Sequence, residues 1–231
     1  MAKALTPQAI ALESLRDKIV SQRDPSKPCI TVCAGTGCCA SGCIEVREAL
    51  NQAIQDQGVA GQVDVKITGC RGFCEQGPLV AILPEKVFYT KVQPKDAEEI
   101  VKKTIVAGEV VDRLLFKDPA SGEKFVHEKD IPFYKQQHRL LLKDSGSIDP
   151  TSFEDYLAIG GYCALTKALF AMTPESILEE VKASGLRGRG GAGFPTAFKW
   201  ELCRQAAGSP KYPICNADEG DPGAFQDRSL I

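Results

Sequence analysis

Apolar and polar positions follow two rhythms along this chain, and each segment's rhythm predicts its element. Met1 to Val20 mixes apolar residues with Lys3, Glu13, Arg16, Asp17 and Lys18, which predicts an amphipathic helix rather than a signal peptide. Cys29 to Cys33 (CITVC) is a short β-branched, apolar run that predicts a buried strand before a Gly-rich turn. Ser41 to Gln57 carries Ile44, Val46, Leu50, Ala53 and Ile54 at close to a helical period, with Ser41 as N-cap and Gly58 as stop. Val63 to Ile67 alternates like a half-buried strand. Leu79–Leu83 and Val87–Val92 flank Pro84-Glu85-Lys86 and predict a hairpin. Pro94 to Ala107 begins with Pro and acidic residues and stops at Gly108, as a capped helix should.

The order strand, helix, strand, hairpin, helix matches a small thioredoxin-like α/β layer fold, with a right-handed crossover between a parallel first pair. Residues 112–150 change character: Asp118-Pro119, Ser121-Gly122, Ile131-Pro132, Ser145-Gly146 and Asp149-Pro150 are breakers, and predict an extended connector with two short strands. From Thr151 the chain turns helical, with Ser152–Ile159 and Tyr162–Ala171 flanking Gly160-Gly161. Thr173-Pro174-Glu175 opens a helix that stops at Gly185. Another helix is expected from Pro195 to Ala207, and Lys211–Cys215 (KYPIC) reads as an edge strand. The fold class is therefore α/β. Its expected divisions are an N-terminal helix (1–24), a thioredoxin-like domain (25–110), a connector (111–150) and a further α/β domain (151–231).

Composition narrows the chemistry. The chain has 231 residues, 43% hydrophobic and 25% charged, and a formal charge of −2, so no nucleic-acid or anionic-membrane partner is expected. No apolar run reaches the length of a membrane span. Ten cysteines are unusual for a chain expected in the cytoplasm, where clustered thiols point to metal binding or catalysis rather than disulfides. Seven of the ten lie between Cys29 and Cys74, while Cys163, Cys203 and Cys215 read as buried small hydrophobes.

Cys33 and Cys38 form a C-x4-C pair, and Cys70 and Cys74 a C-x3-C pair. Thiolates select zinc or iron–sulfur centres, and the spacing leaves both open. The longer reach of a [2Fe–2S] cluster suits the C-x4-C loop better. Gly35, Gly37, Gly69 and Gly72 would let backbone N–H groups approach the sulfurs. Both pairs are expected in loops beside strand ends on one sheet edge. Cys29, Cys39 and Cys43 rank as non-ligands, and His127 and His138 as surface residues.

The second feature is Gly185-Leu-Arg187-Gly188-Arg189-Gly190-Gly191-Ala192-Gly193-Phe194-Pro195-Thr196. It matches G-x-G-x-x-G formally, but a helix rather than a strand precedes it, which excludes a Rossmann reading, and Phe194-Pro195 excludes a P-loop. A glycine loop opening onto a helix N-terminus still favours an anionic ligand. Arg187, Arg189 and Lys199 add positive charge. Asn216-Ala-Asp218-Glu219-Gly220-Asp221 places amide and carboxylate groups after the expected strand, suited to flavin or ribose hydroxyls.

Residues 185–200 (GLRGRGGAGFPTAFKW) and 216–228 (NADEGDPGAFQDR) resemble the NADH-binding flavoprotein subunit of respiratory complex I and of NAD-linked hydrogenases and formate dehydrogenases. The cysteine region resembles the thioredoxin-like [2Fe–2S] domain fused in front of some members. The resemblance implies that Cys33, Cys38, Cys70 and Cys74 hold a [2Fe–2S] cluster. It implies FMN on Gly188, Arg189, Gly190, Gly191, Ala192, Gly193 and Phe194, with Lys199, Asn216, Asp218 and Glu219, and NAD(H) as substrate near Asp221. It implies an NADH:acceptor oxidoreductase with other redox subunits as partners, a small [2Fe–2S] ferredoxin subunit among them. No catalytic side chain is nominated, since hydride transfer needs none. The family continues past the point matching Ile231, with a ubiquitin-like domain and a [4Fe–4S] helical bundle, so a partial sequence is expected. The alternative function is a [2Fe–2S] electron-carrier or docking module without NADH activity of its own.

Overall fold

The computed structural model describes residues 7–212, 214–224 and 226–230. Helix α1 spans Pro7–Ser21, so the first six residues of the expected N-terminal helix lie outside the described ones. Among its described side chains only Ile19 is fully buried, while Leu15 and Val20 stay exposed, so its apolar face is narrow.

Strand β1 (Cys29–Cys33) is buried on both faces at the sheet's centre. The short helix α2 (Thr36–Ala40) follows, then α3 (Cys43–Asp56). The expected cap at Ser41 is corrected here: Ser41 ends α2, and Gly42, at φ +89°, turns the chain into α3. A side chain at that φ would clash, which is why a glycine opens the helix. The face of α3 buried against the sheet is Cys43, Val46, Leu50, Ala53 and Ile54, with Ile44 outside it.

Strand β2 (Asp64–Thr68) pairs parallel to β1, and β3 (Val80–Leu83) antiparallel on the other side. Strand β4 (Val87–Tyr89) closes the hairpin, giving the order β2-β1-β3-β4. A helical turn at Pro94–Asp96 leads into α4 (Ala97–Glu99) and on into Ile100–Val106, which winds more widely, so that the Ala107 N–H donates to the Lys102 carbonyl at 3.2 Å.

The connector supplies the predicted short strands, β5 (Phe116–Lys117) and β6 (Lys124–Phe125), and a helical turn α5 (Pro132–Lys135) that the sequence pattern did not suggest. It covers the free edge of β4: the Phe88 N–H donates to Val126 at 2.8 Å and the Thr90 N–H to Leu114 at 2.9 Å. Unpaired strand edges invite association, and this one is satisfied internally.

Helices α6 (Phe153–Ala158), α7 (Cys163–Ala171), α8 (Pro174–Ala183) and α9 (Thr196–Gln205) fall where the sequence places helices. Thr173 caps α8, accepting the Ser176 N–H at 3.2 Å. The strand expected at Lys211–Cys215 is corrected: no described residue there is in a strand, Pro213 lies outside the described residues, and Tyr212 and Ile214 are 76% and 89% exposed. A short helix α10 (Gln226–Leu230) closes the chain.

The backbone groups into two compact units. One is Ser21–Tyr156 with Asp218–Ile231, and the other is the chain up to Val20 with Leu157–Ala217. The connector thus shares a unit with the thioredoxin-like sheet.

Candidate functional site

The two parallel strands set up the cysteine site. Cys33 is the last residue of β1, and Cys70 follows β2 by two residues, so adjacent parallel strands deliver both to the same end of the sheet. That end is the C-terminal end of one interior and one edge strand, not a sheet edge as expected. Cys38 lies in α2 rather than in a loop, and Cys74 begins a single helical turn, Cys74–Gln76.

The four sulfurs meet in series. Cys33 interacts with both Cys38 and Cys70, and Cys70 also interacts with Cys74. Contact with Cys38, together with burial, pushes the Cys33 thiol up to about 11, while the same contact holds Cys38 below the ordinary thiol value. Its hydrogen bond to Cys33, together with burial, pushes the Cys70 thiol up, and burial pushes up that of Cys74. Backbone N–H groups face the sulfurs as well: Gly72 donates to Cys70 Sγ at 3.3 Å, and the amides of Gly35 and Leu79 face Cys33 and Cys38.

Three glycines make this convergence possible. A Cβ on Gly35 would lie 3.0 Å from Cys70 Sγ, one on Gly37 2.8 Å from Cys74 Cβ, and one on Gly77 2.9 Å from Cys38 Sγ. Gly77 escaped the sequence reading, since only folding brings it against α2. Among the described residues no three His, Cys, Asp or Glu side chains surround a single-ion site. Four thiols brought to one end of the sheet, with the Gly72 N–H aimed at Cys70 Sγ, fit the donor set of a two-iron cluster.

Cys39 and Cys43 pair with each other instead, Sγ to Sγ at 3.5 Å, and Cys39 also donates to the Ala34 carbonyl at 3.3 Å. Cys29 lies at the opposite end of β1, and the expected burial of Cys163, Cys203 and Cys215 is corrected, since all three are exposed.

The glycine loop is closed at its base. The Thr196 N–H donates to Leu186 at 3.0 Å and the Gly188 N–H to Phe194 at 2.9 Å. Arg187 turns inward and donates to the Gly193 carbonyl at 3.0 Å, so its charge serves the loop. Above the loop there is room: a Cβ on Gly190, Gly191 or Gly193 would meet nothing within 4 Å. Arg189, Ala192 and Phe194 are exposed, as is Lys199 one turn into α9. Tied ends, open glycines and a helix N-terminus fit a phosphate-bearing cofactor. A cleft of about 420 Å³ opens between α8 and α9, lined among others by Leu178, Leu186, Arg187 and Phe198.

Asn216, Asp218 and Asp221 are exposed, and Glu219 has a structural task. Its carboxylate accepts the Gln226 and Asp227 N–H groups, each at 2.8 Å, capping α10.

Residues 18–105 match the thioredoxin-like [2Fe-2S] ferredoxin family and residues 181–231 the Nuo51 FMN-binding domain. An NADH-quinone oxidoreductase chain of Rhizobium meliloti is 54% identical over 92 residues, 40% of this chain and 22% of that protein. The HndC chain of the NADP-reducing hydrogenase of Solidesulfovibrio fructosivorans is 50% identical over 97 residues, 42% of this chain and 19% of that protein. The alpha chain of the NAD-reducing hydrogenase HoxS of Cupriavidus necator is 33% identical over 193 residues, 80% of this chain and 29% of that protein. The chain spans less than a third of the length of these relatives. The likeness to thioredoxin-like [2Fe-2S] ferredoxins is thus carried by residues 18–105, and that to the Nuo51 FMN-binding domain by residues 181–231.

Proposed function

We propose that this chain serves NADH:acceptor oxidoreduction as part of a flavoprotein subunit, with Cys33, Cys38, Cys70 and Cys74 as ligands of a [2Fe–2S] cluster. The convergence of four thiols from two adjacent strand ends carries the reading. Gly188, Arg189, Gly190, Gly191, Ala192, Gly193 and Phe194, with Lys199, would cradle FMN. Asn216, Asp218 and Glu219 would meet its polar groups, and Asp221 would lie near the nicotinamide nucleotide. The cofactors would supply hydride acceptance at the flavin and one-electron transfer at iron–sulfur centres.

The chain's own residues bind and position. The Gly72 N–H at Cys70 Sγ stabilises negative charge on sulfur, and burial of Cys33, Cys38 and Cys70 keeps water away. Partners would be redox subunits of a hydrogenase, formate dehydrogenase or complex I type, including a small [2Fe–2S] ferredoxin subunit. Among the described residues no helix is long and apolar enough to cross a membrane. Free thiols in this number support a cytoplasmic location.

Anaerobic purification with iron, sulfide and zinc analysis tests the ligand set. Roughly two irons per chain are expected, lost in Cys33→Ser and Cys70→Ser and kept in Cys39→Ser. One zinc without iron would refute the assignment.

A further inference from the structure

The loop that carries Cys70 and Cys74 is held from outside the thioredoxin-like fold. Three alternate residues of it grip the connector. At Gly69 an added Cβ would lie 3.0 Å from the Ser145 carbonyl. Phe73 stacks on Phe133 at 4.5 Å with the rings within 10° of parallel, and meets Tyr134 edge-on at 5.5 Å.

Between them sits Arg71, 6% exposed, an arginine buried next to a candidate ligand. Its Nη1 donates to Glu128 Oε2 at 2.5 Å, and its Nη2 to Thr31 Oγ1 at 2.9 Å and to the Gly146 carbonyl. Gly146 has no room for more, since a Cβ there would lie 2.7 Å from Arg71 Nη1. Glu128 also accepts Arg139 at 2.8 Å, and Arg139 lies over the Tyr134 ring at 4.4 Å. Residues 128–147 belong to neither matched family stretch.

We propose that the connector completes the metal centre, with Arg71 as a positioning residue that locks the Cys70–Cys74 loop onto Glu128 and Gly146 and presents a buried positive charge to the cluster. The inference rests on the ligand assignment made above. A guanidinium fork satisfies three acceptors at once, which a point-charge ammonium cannot do in the same geometry. The charge balance gives the role a sign. Arg71, Glu128 and Arg139 together carry one net positive charge. Reduction adds an electron to the cluster, and a nearby positive charge favours the reduced state.

The test uses the full chain with its cluster, and reads midpoint potential by EPR-monitored titration and iron release to a chelator. Arg71→Met should lower the potential and Glu128→Gln should raise it. Arg71→Lys should keep the potential close to the parent's, while releasing iron about tenfold faster because the fork is lost. A merely structural role would loosen the loop without opposite shifts. Should Arg71→Met fail to fold, Glu128→Gln and Arg71→Lys still decide the matter. Potentials that do not move, or move in the same direction, overturn this inference alone. A parent chain without iron overturns the ligand assignment and this inference with it.

Discussion

Gly37 is the residue on which the sulfur site is most tightly closed. An alanine there would put its Cβ 2.8 Å from Cys74 Cβ, a contact that forces α2 or the Cys74 turn to move. Overpacking of this kind costs about 1–3 kcal/mol. Gly37→Ala should therefore lower the urea midpoint and impair cluster retention together, and a variant with unchanged iron content would show that the two segments can separate freely. Gly190 offers the opposite case. Its Cβ would enter open space, and its φ is not in the left-handed region. Gly190→Ala should leave stability within about 0.5 kcal/mol, yet weaken FMN binding by crowding the face where backbone N–H groups would meet phosphate. Flavin fluorescence titration decides it, and unaltered affinity would remove the loop from the flavin site.

At the scale of elements, local chemistry decides where helices begin, and α8 shows it most directly. Thr173 accepts the Ser176 N–H while Ser176 Oγ accepts the Thr173 N–H at 2.9 Å, so the first turn is closed by two side chains. Thr173→Ala should destabilise that turn by about 1 kcal/mol, read as faster amide exchange at its first residues with the rest of the chain unchanged. Such caps, like the hairpin turn and the strand order, depend on neighbours within a few residues and are readable from the chain. The two cysteine pairs stand out by their spacing, but their meeting depends on the register that sets Cys33 opposite Thr68. What sequence does not carry is non-local. Tyr212 and Ile214 alternate like a strand, but among the described residues no partner strand lies beside them. Ser41 resembles a cap, but α2 ends there and Gly42 turns the chain. The breakers between Asp112 and Pro150 read as a passive linker. Its grip on Arg71 comes from pairings as far as 75 residues apart, which no local pattern records.

At the scale of the molecule, one buried carboxylate joins segments that local rules cannot. Asp155 Oδ1 accepts Arg23 at 2.7 Å, its Oδ2 lies 2.7 Å from the Lys66 ammonium, and the same Oδ2 accepts the Asp149 N–H at 2.8 Å. Arg23 follows α1, Lys66 is on β2 and Asp149 ends the connector, so the carboxylate ties three stretches into one unit. Burial alone would push Asp155 up, but the Asp149 amide and the two cations outweigh it and hold it below the ordinary carboxylate range. A group whose folded value is depressed contributes stability above its unfolded value, about 3.9, and loses it as pH falls through the folded value. Asp155→Asn should therefore destabilise the chain by about 1–3 kcal/mol at neutral pH, allowing for the partial exposure of both cations. The difference from the parent should begin to shrink as pH falls below about 4, where the unfolded carboxylate protonates, and vanish once pH passes the depressed folded value. Denaturant unfolding across that range measures it. A difference that stays constant with pH would mean that Asp155 acts through packing rather than charge, and that the three segments are joined by something other than this carboxylate.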